Sequence, residues 1–339
     1  MSTSESAAPV SRRTRILADV CLFGVAIIWG VNIPLMKTGV DELDRYVFNA
    51  IRLTISAAVL AGFAGWERAR GTVSKPGISR VALFIYAVLA AGMYQVLFLL
   101  GISNTTSGNT ALIISTVPIW TALMAWLFLG ERLRSLAWCG LVVALIGTMI
   151  VAFQKGDVTT NHEHLWGNMF MIGAALTWSG GTVYSRRLLK YISPMKLAAI
   201  AAVVSLPVHY IVTMGKGFDS QQEVLQSMQV WIIIAYAGVL SSGLALPMWN
   251  YGVRHAGAAH AAIIQNVIPL VAIVAAWFSR SEVPTRWQVT GGVLILIGLV
   301  VMRSARGNAP KELLSKAEHA IDSSEVPEES SEPVNAVKG

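Results

Sequence analysis

Apolar residues run along this chain in ten stretches of roughly twenty, at 17–36, 46–65, 80–101, 107–129, 135–153, 165–185, 195–214, 229–251, 258–278 and 287–303. Each is about the length a helix needs to span the hydrocarbon of a bilayer. Within segments such as 140–151 and 291–302 the residues are apolar on every face, unlike the alternation of a membrane β-strand. The pattern predicts an all-α membrane protein with ten transmembrane helices. The first stretch follows Arg12, Arg13 and Arg15, yet it is too long for a cleaved signal and leads into another spanning run, so it reads as a retained helix.

Composition agrees. The chain is 54% hydrophobic and 13% charged, with mean hydropathy +0.58, where a soluble domain carries roughly 25% charge. The net charge of +7 raises nucleic acid as a partner, but the cations are spread between apolar runs rather than gathered in a patch, so no nucleic acid is expected. Alternate connecting segments hold nineteen Lys and Arg against six, with Arg52 left inside a run. By the positive-inside tendency this predicts a multi-pass membrane protein with both termini cytoplasmic. Residues 1–16 form a cytoplasmic segment, and 308–339, rich in Glu, Ser and Pro, reads as a disordered tail. Cys21 and Cys139 lie in different apolar runs, which gives neither a disulfide framework nor a Cys-based metal site.

The chain also matches itself. An offset of 151 places Gly101 on Gly252, Pro118 on Pro269, Trp126 on Trp277, Glu131 on Glu282, and Gly140 and Gly147 on Gly291 and Gly298. An offset of 149 places Trp29 on Trp178 and Lys37 on Arg186. Two five-helix units follow, at 17–153 and 165–303. Because five is odd, the second enters the membrane upside down, an arrangement that secondary transporters use to hold substrate between halves. Pro118 and Pro269 break the fourth and ninth helices and free a carbonyl one turn earlier. The paired glycines permit close helix packing.

Both units resemble the EamA-type repeat of the drug/metabolite transporter superfamily. In the first, the resemblance rests on Trp29-Gly30, Arg52-Leu53, and Ala111 through Val117-Pro118 to Leu129-Gly130-Glu131-Arg132-Leu133; in the second, on Trp178, Ile268-Pro269 and Glu282. It implies a ten-helix inner-membrane carrier, often an exporter of amino acids or related metabolites. The second half departs from the pattern at Ser279-Arg280-Ser281-Glu282 and at Ser179, and it has no basic counterpart of Arg52.

Charges inside a bilayer are costly and so mark function. Arg52 is the one clearly embedded cation, and no Asp or Glu lies mid-helix. That argues against an exporter that holds organic cations on a buried carboxylate. Arg52 suits a carboxylate or phosphate, gripped through two hydrogen bonds; alternatively it neutralises helix-end carbonyls or snorkels to the interface. Candidate substrate contacts are Arg52, Gln265, Asn266, Trp29, Asn32, Tyr94, Gln95, Trp178, Trp249 and His260, each of which also has an ordinary packing role open to it. Asn49, Asn109, Asn250, Tyr184 and His209 are weaker candidates. No catalytic triad, phosphate-cradling loop or metal cluster appears, so no enzyme activity, cofactor or metal is expected. The expected function is secondary transport of a small-molecule substrate by alternating access, exporting amino acids or similar polar metabolites, by a monomer or homodimer in the lipid bilayer. The alternatives are a cation/drug exporter, a nucleotide-sugar-type exchanger, or a membrane sensor that transports nothing.

Overall fold

The computed structural model describes residues 11–71, 77–153, 162–214, 224–281 and 283–307. The tail at 308–339, residues 1–10 and Glu282 lie outside the described residues. Among the described residues the secondary structure is helical, without strands. The main rods are α1 (Arg12–Glu42), α2 (Arg45–Ala69), α3 (Arg80–Asn104), α4 (Asn109–Leu129), α5 (Ser135–Phe153), α6 (Leu165–Leu188), α7 (Pro194–Thr213), α8 (Met228–Ala256), α9 (Ala258–Ser279) and α10 (Arg286–Gly307). Eight of them are long and apolar enough to cross a membrane. Of the other two, α6 has 24 residues but is more polar, and the apolar part of α10, Arg286–Met302, is shorter.

Several ends lie beyond the apolar stretches because capping groups, not hydropathy, decide where a helix starts. Ser11 accepts from the Thr14 N–H, so α1 begins at Arg12 rather than at residue 17. The Asp44 carboxylate accepts from the N–H groups of Tyr46 and Val47 at 2.9 and 3.2 Å and opens α2. At the close of α4, Gly130 turns into the left-handed region with φ 68°. Ser281 does the same after α9 with φ 55°, the one non-glycine at positive φ among the described residues.

Large apolar side chains cover the outside: Phe23, Phe63, Phe84, Trp126 and Phe278 are all exposed. In water that surface would aggregate; in lipid it is the solvated face. The chain is a multi-pass membrane protein.

The inside is held by small residues. A methyl on Gly140 would sit 2.6 Å from the Gly298 carbonyl oxygen, and one on Gly147 would sit 2.5 Å from that of Gly291, so α5 and α10 cross backbone to backbone. Gly101 of α3 receives Met171 of α6, and Gly252 of α8 receives Leu22 of α1. The offsets found in the sequence relate these two contacts residue by residue.

Two kinds of irregularity recur at the same offsets. Near Pro118 the helix of α4 breaks at Thr116, and near Pro269 α9 breaks at Asn266 and Val267. At each break a side chain donates to a carbonyl three residues earlier. The Ser115 hydroxyl donates to Leu112 O at 2.6 Å, and the Asn266 amide, 151 residues on, donates to Ile263 O at 3.0 Å. The second irregularity is a π-helical segment, Ala87–Met93 inside α3 and Tyr236–Leu244 inside α8. A π turn accommodates an extra residue, and such turns recur at functional sites.

Candidate functional site

Arg52 lies on α2, 7% exposed. Its Nε and Nη2 donate to Asn49 Oδ1 at 3.0 and 2.6 Å, one turn earlier on the same helix. Its Nη1 donates to Ser242 Oγ at 2.9 Å, and its Nη2 also donates to Gln95 Oε1 at 3.4 Å. The guanidinium thus bridges α2, α3 and the π segment of α8. All of these acceptors are neutral, and no carboxylate among the described residues pairs with the charge. A buried cation normally has an anionic partner, and one Nη1 hydrogen is left over by these bonds.

Beside this cluster is an aromatic box. Trp29, Trp178 and Trp249 form a triangle with ring centroids 5.5, 5.5 and 5.8 Å apart. Tyr94 closes it at 5.0 Å from Trp178. Since Tyr94 adjoins Gln95, which accepts from Arg52, the aromatic rings and the cation share one region. The Trp29 indole N–H donates to Ser241 O at 2.9 Å, next to the Ser242 that holds Arg52. The Trp178 indole nitrogen is buried without a partner. His209 of α7 is 2% exposed, and neither ring nitrogen makes a well-formed hydrogen bond.

Of the residues expected from sequence, the structure brings together Arg52, Gln95, Tyr94, Trp29, Trp178 and Trp249. Asn49, a weaker candidate, is the main acceptor of Arg52. Gln265 sits at the α9 break with its Oε1 buried and unpaired, and no hydrogen bond or ring contact joins it to the Arg52 cluster. Asn266 serves the break itself. Asn32 is buried one turn beyond Trp29 with its Oδ1 unpaired. His260 lies at the start of α9 against Asp19 of α1, and Pro118 and Pro269 mark the helix breaks. Sequence reasoning passed over Ser241 and Ser242; the available signal was a polar pair inside the apolar stretch 229–251.

The model of the EamA-like transporter family matches residues 16–153 and again 165–304. Among relatives, the uncharacterized transporter YoaV of Bacillus subtilis is 24% identical over 82% of this chain and 94% of its own length. The uncharacterized inner membrane transporter YedA of Escherichia coli K12 is 25% identical over 83% of this chain and 89% of its own. The probable terminal-alkyne amino-acid exporter of Streptantibioticus cattleyicolor is 26% identical over 81% and 90%. A solved crystal structure, 17% identical, superposes with TM-score 0.72 over 84% of this chain and 98% of that one, a likeness of fold. With two family matches that together take in nearly all the described residues, the chain is a membrane transporter and belongs to the EamA-like transporter family.

Proposed function

We propose that the protein is a secondary carrier that exports amino acids or closely related small carboxylates across the inner membrane by alternating access. It is built from two inverted five-helix repeats, 17–153 and 165–303, with ten membrane crossings and both termini in the cytoplasm. The observation that carries the substrate reading is Arg52, a buried guanidinium held by neutral oxygens alone. A substrate carboxylate supplies the missing anion, as the planar fork of arginine favours. The aromatic cluster offers ring faces beside Arg52 for the rest of an amino acid, since indole faces attract an ammonium group as well as apolar side chains. The relative named for amino-acid export points the same way. The inverted arrangement is supported by the contacts that recur at the 149 and 151 offsets, from the glycine sockets to the helix breaks and π segments. Membrane orientation rests on the distribution of Lys and Arg.

The test uses liposomes holding the purified full-length chain and loaded with the twenty common amino acids, whose release is followed by mass spectrometry. Wild type should release a subset of them. Arg52→Gln should weaken apparent affinity by at least about thirtyfold, as loss of a buried charged contact does, while remaining folded in the membrane. Release that Arg52→Gln leaves unchanged removes Arg52 from the substrate site.

A further inference from the structure

Among the hydrogen bonds that link the two halves, one pair of contacts is related by the repeat. At one end His260 Nε2 of α9 meets Asp19 Oδ1 of α1 at 2.8 Å. At the other, Asn109 of α4 donates through Nδ2 to Asn168 Oδ1 of α6 at 3.1 Å, and Thr105 Oγ1 donates to the same oxygen at 2.6 Å. The offset of 151 carries Asn109 onto His260, and the offset of 149 carries Asp19 onto Asn168. The same contact is therefore made twice, with different chemistry. One copy is imidazole on carboxylate, the other amide on amide. Side-chain amides do not titrate near neutral pH, whereas histidine is the side chain that ordinarily does.

We propose that Asp19 and His260 form a proton-binding site that governs how readily the two halves part at their end of the bundle, a role that the two amides of the Asn109–Asn168 contact cannot play, although His162, Glu163 and His164 stand near that end. This rests on the carrier reading above. The side chains of His260 and Asp19 are 19% and 41% exposed, so a proton reaches them from the adjoining water. With the imidazole protonated, the contact is an ion pair as well as a hydrogen bond; without that proton a neutral N–H faces the carboxylate and the attraction between opposite charges is gone. Loss of the proton weakens it. The end of the bundle at His260 should therefore open more readily as pH rises.

Other charged or titratable groups stand on the elements packed there: Arg15 and Cys21 on α1, and Tyr251, Arg254 and His255 at the end of α8. Glu131 beyond α4 accepts from the N–H groups of Ala258 and Ala259 at 3.2 and 3.1 Å and pairs with Arg186 of α6 at 3.4 Å. His255 is a second imidazole at this end, packed against Tyr251 with ring centroids 4.4 Å apart and planes tilted by 47°, so the test has to separate the two.

The first arm is hydrogen exchange of the full-length chain in liposomes at pH 6 and pH 8, corrected for intrinsic amide rates and read at residues 257–264. In wild type, opening should be at least about threefold faster at pH 8, given the strength lost with the charge. The Asp19→Asn/His260→Asn variant copies the opposite end and should show no pH ratio, whereas His255→Gln should keep it. If the double variant does not fold, His260→Gln alone serves in its place. Asn109→His/Asn168→Asp should create a pH ratio at residues 107–112. The proposal is overturned by an equal ratio in wild type and the double variant, or by loss of the ratio in His255→Gln. The second arm measures amino-acid release at the same two pH values and should follow the same pattern. If wild type releases no amino acid, the substrate reading fails while the exchange ratio still decides the proton site.

Discussion

At the scale of single residues, the two halves solve the same local problem with different side chains. Gly30 lies against α9, where an added Cβ would be 2.5 Å from Val271 Cβ and 3.0 Å from Ile268 O. Its counterpart is Ser179, whose hydroxyl instead donates to Val117 O at 3.3 Å. Ser179→Gly opens no steric conflict and should cost at most about 1 kcal/mol, for one long hydrogen bond. Gly30→Ser should lower stability by about 1–3 kcal/mol through overpacking. Thermal unfolding of detergent-solubilised protein reads the difference, and equal effects would show the two positions to be equally roomy. The positive-φ turns offer a second contrast. Ser281 holds φ 55° where Gly130 holds φ 68°, and a left-handed conformation is disfavoured by about 1 kcal/mol or more for residues with a Cβ. Ser281→Gly should raise the unfolding temperature and Gly130→Ser should lower it.

Much of the residue-level site was legible in the sequence, and the limit is physical. Arg52 stands out because a charge in an apolar run is costly whatever surrounds it. Trp29 and Trp178 stand out because the repeat pairs them. The role of Ser242 was not legible: a serine in a membrane helix bonds its own backbone as readily as a neighbour, and only the π segment of α8 aims this one at Arg52. Asn266 shows the same local habit: its amide, a candidate for the cavity in sequence, donates to Ile263 O at the helix break.

At the scale of elements, hydropathy located the rods and left their ends to capping. It could not reveal the π segments, because a single inserted residue leaves composition unchanged while shifting every later side chain around the helix by about 100°. Packing between elements was more legible, since the glycines of α5 and α10 are spaced for one face. Gly147→Val should be far more damaging than Val142→Gly on the exposed side of α5: its Cβ alone would lie 2.5 Å from Gly291 O and 2.9 Å from Ile295 N. A loss of at least about 2–3 kcal/mol is expected as the crossing is forced apart. Folded yield and unfolding temperature of the two variants make the comparison, and similar values would mean that α5 and α10 do not depend on backbone contact.

At the scale of the whole molecule, the mirrored contacts impose a constraint that single helices do not. If the halves are inverted copies, opening one end of the bundle requires the other to stay shut, so fastening either end should stop turnover. The contacts to fasten are Asp19 with His260 and Asn109 with Asn168, each joining a helix of one half to a helix of the other. Cysteines placed at either pair, with Cys21 and Cys139 replaced by serine, can be joined by a short flexible bifunctional thiol reagent. Both cross-links should abolish amino-acid release from loaded liposomes, and cleaving a reducible linker should restore it. Labelling separates this from mere rigidity. With the protein inserted in one orientation, a membrane-impermeant thiol reagent should reach positions 19 and 260 from one side and positions 109 and 168 from the other. Reaction of all four from a single side, or full release with one pair joined, is incompatible with two inverted halves turning about a central Arg52.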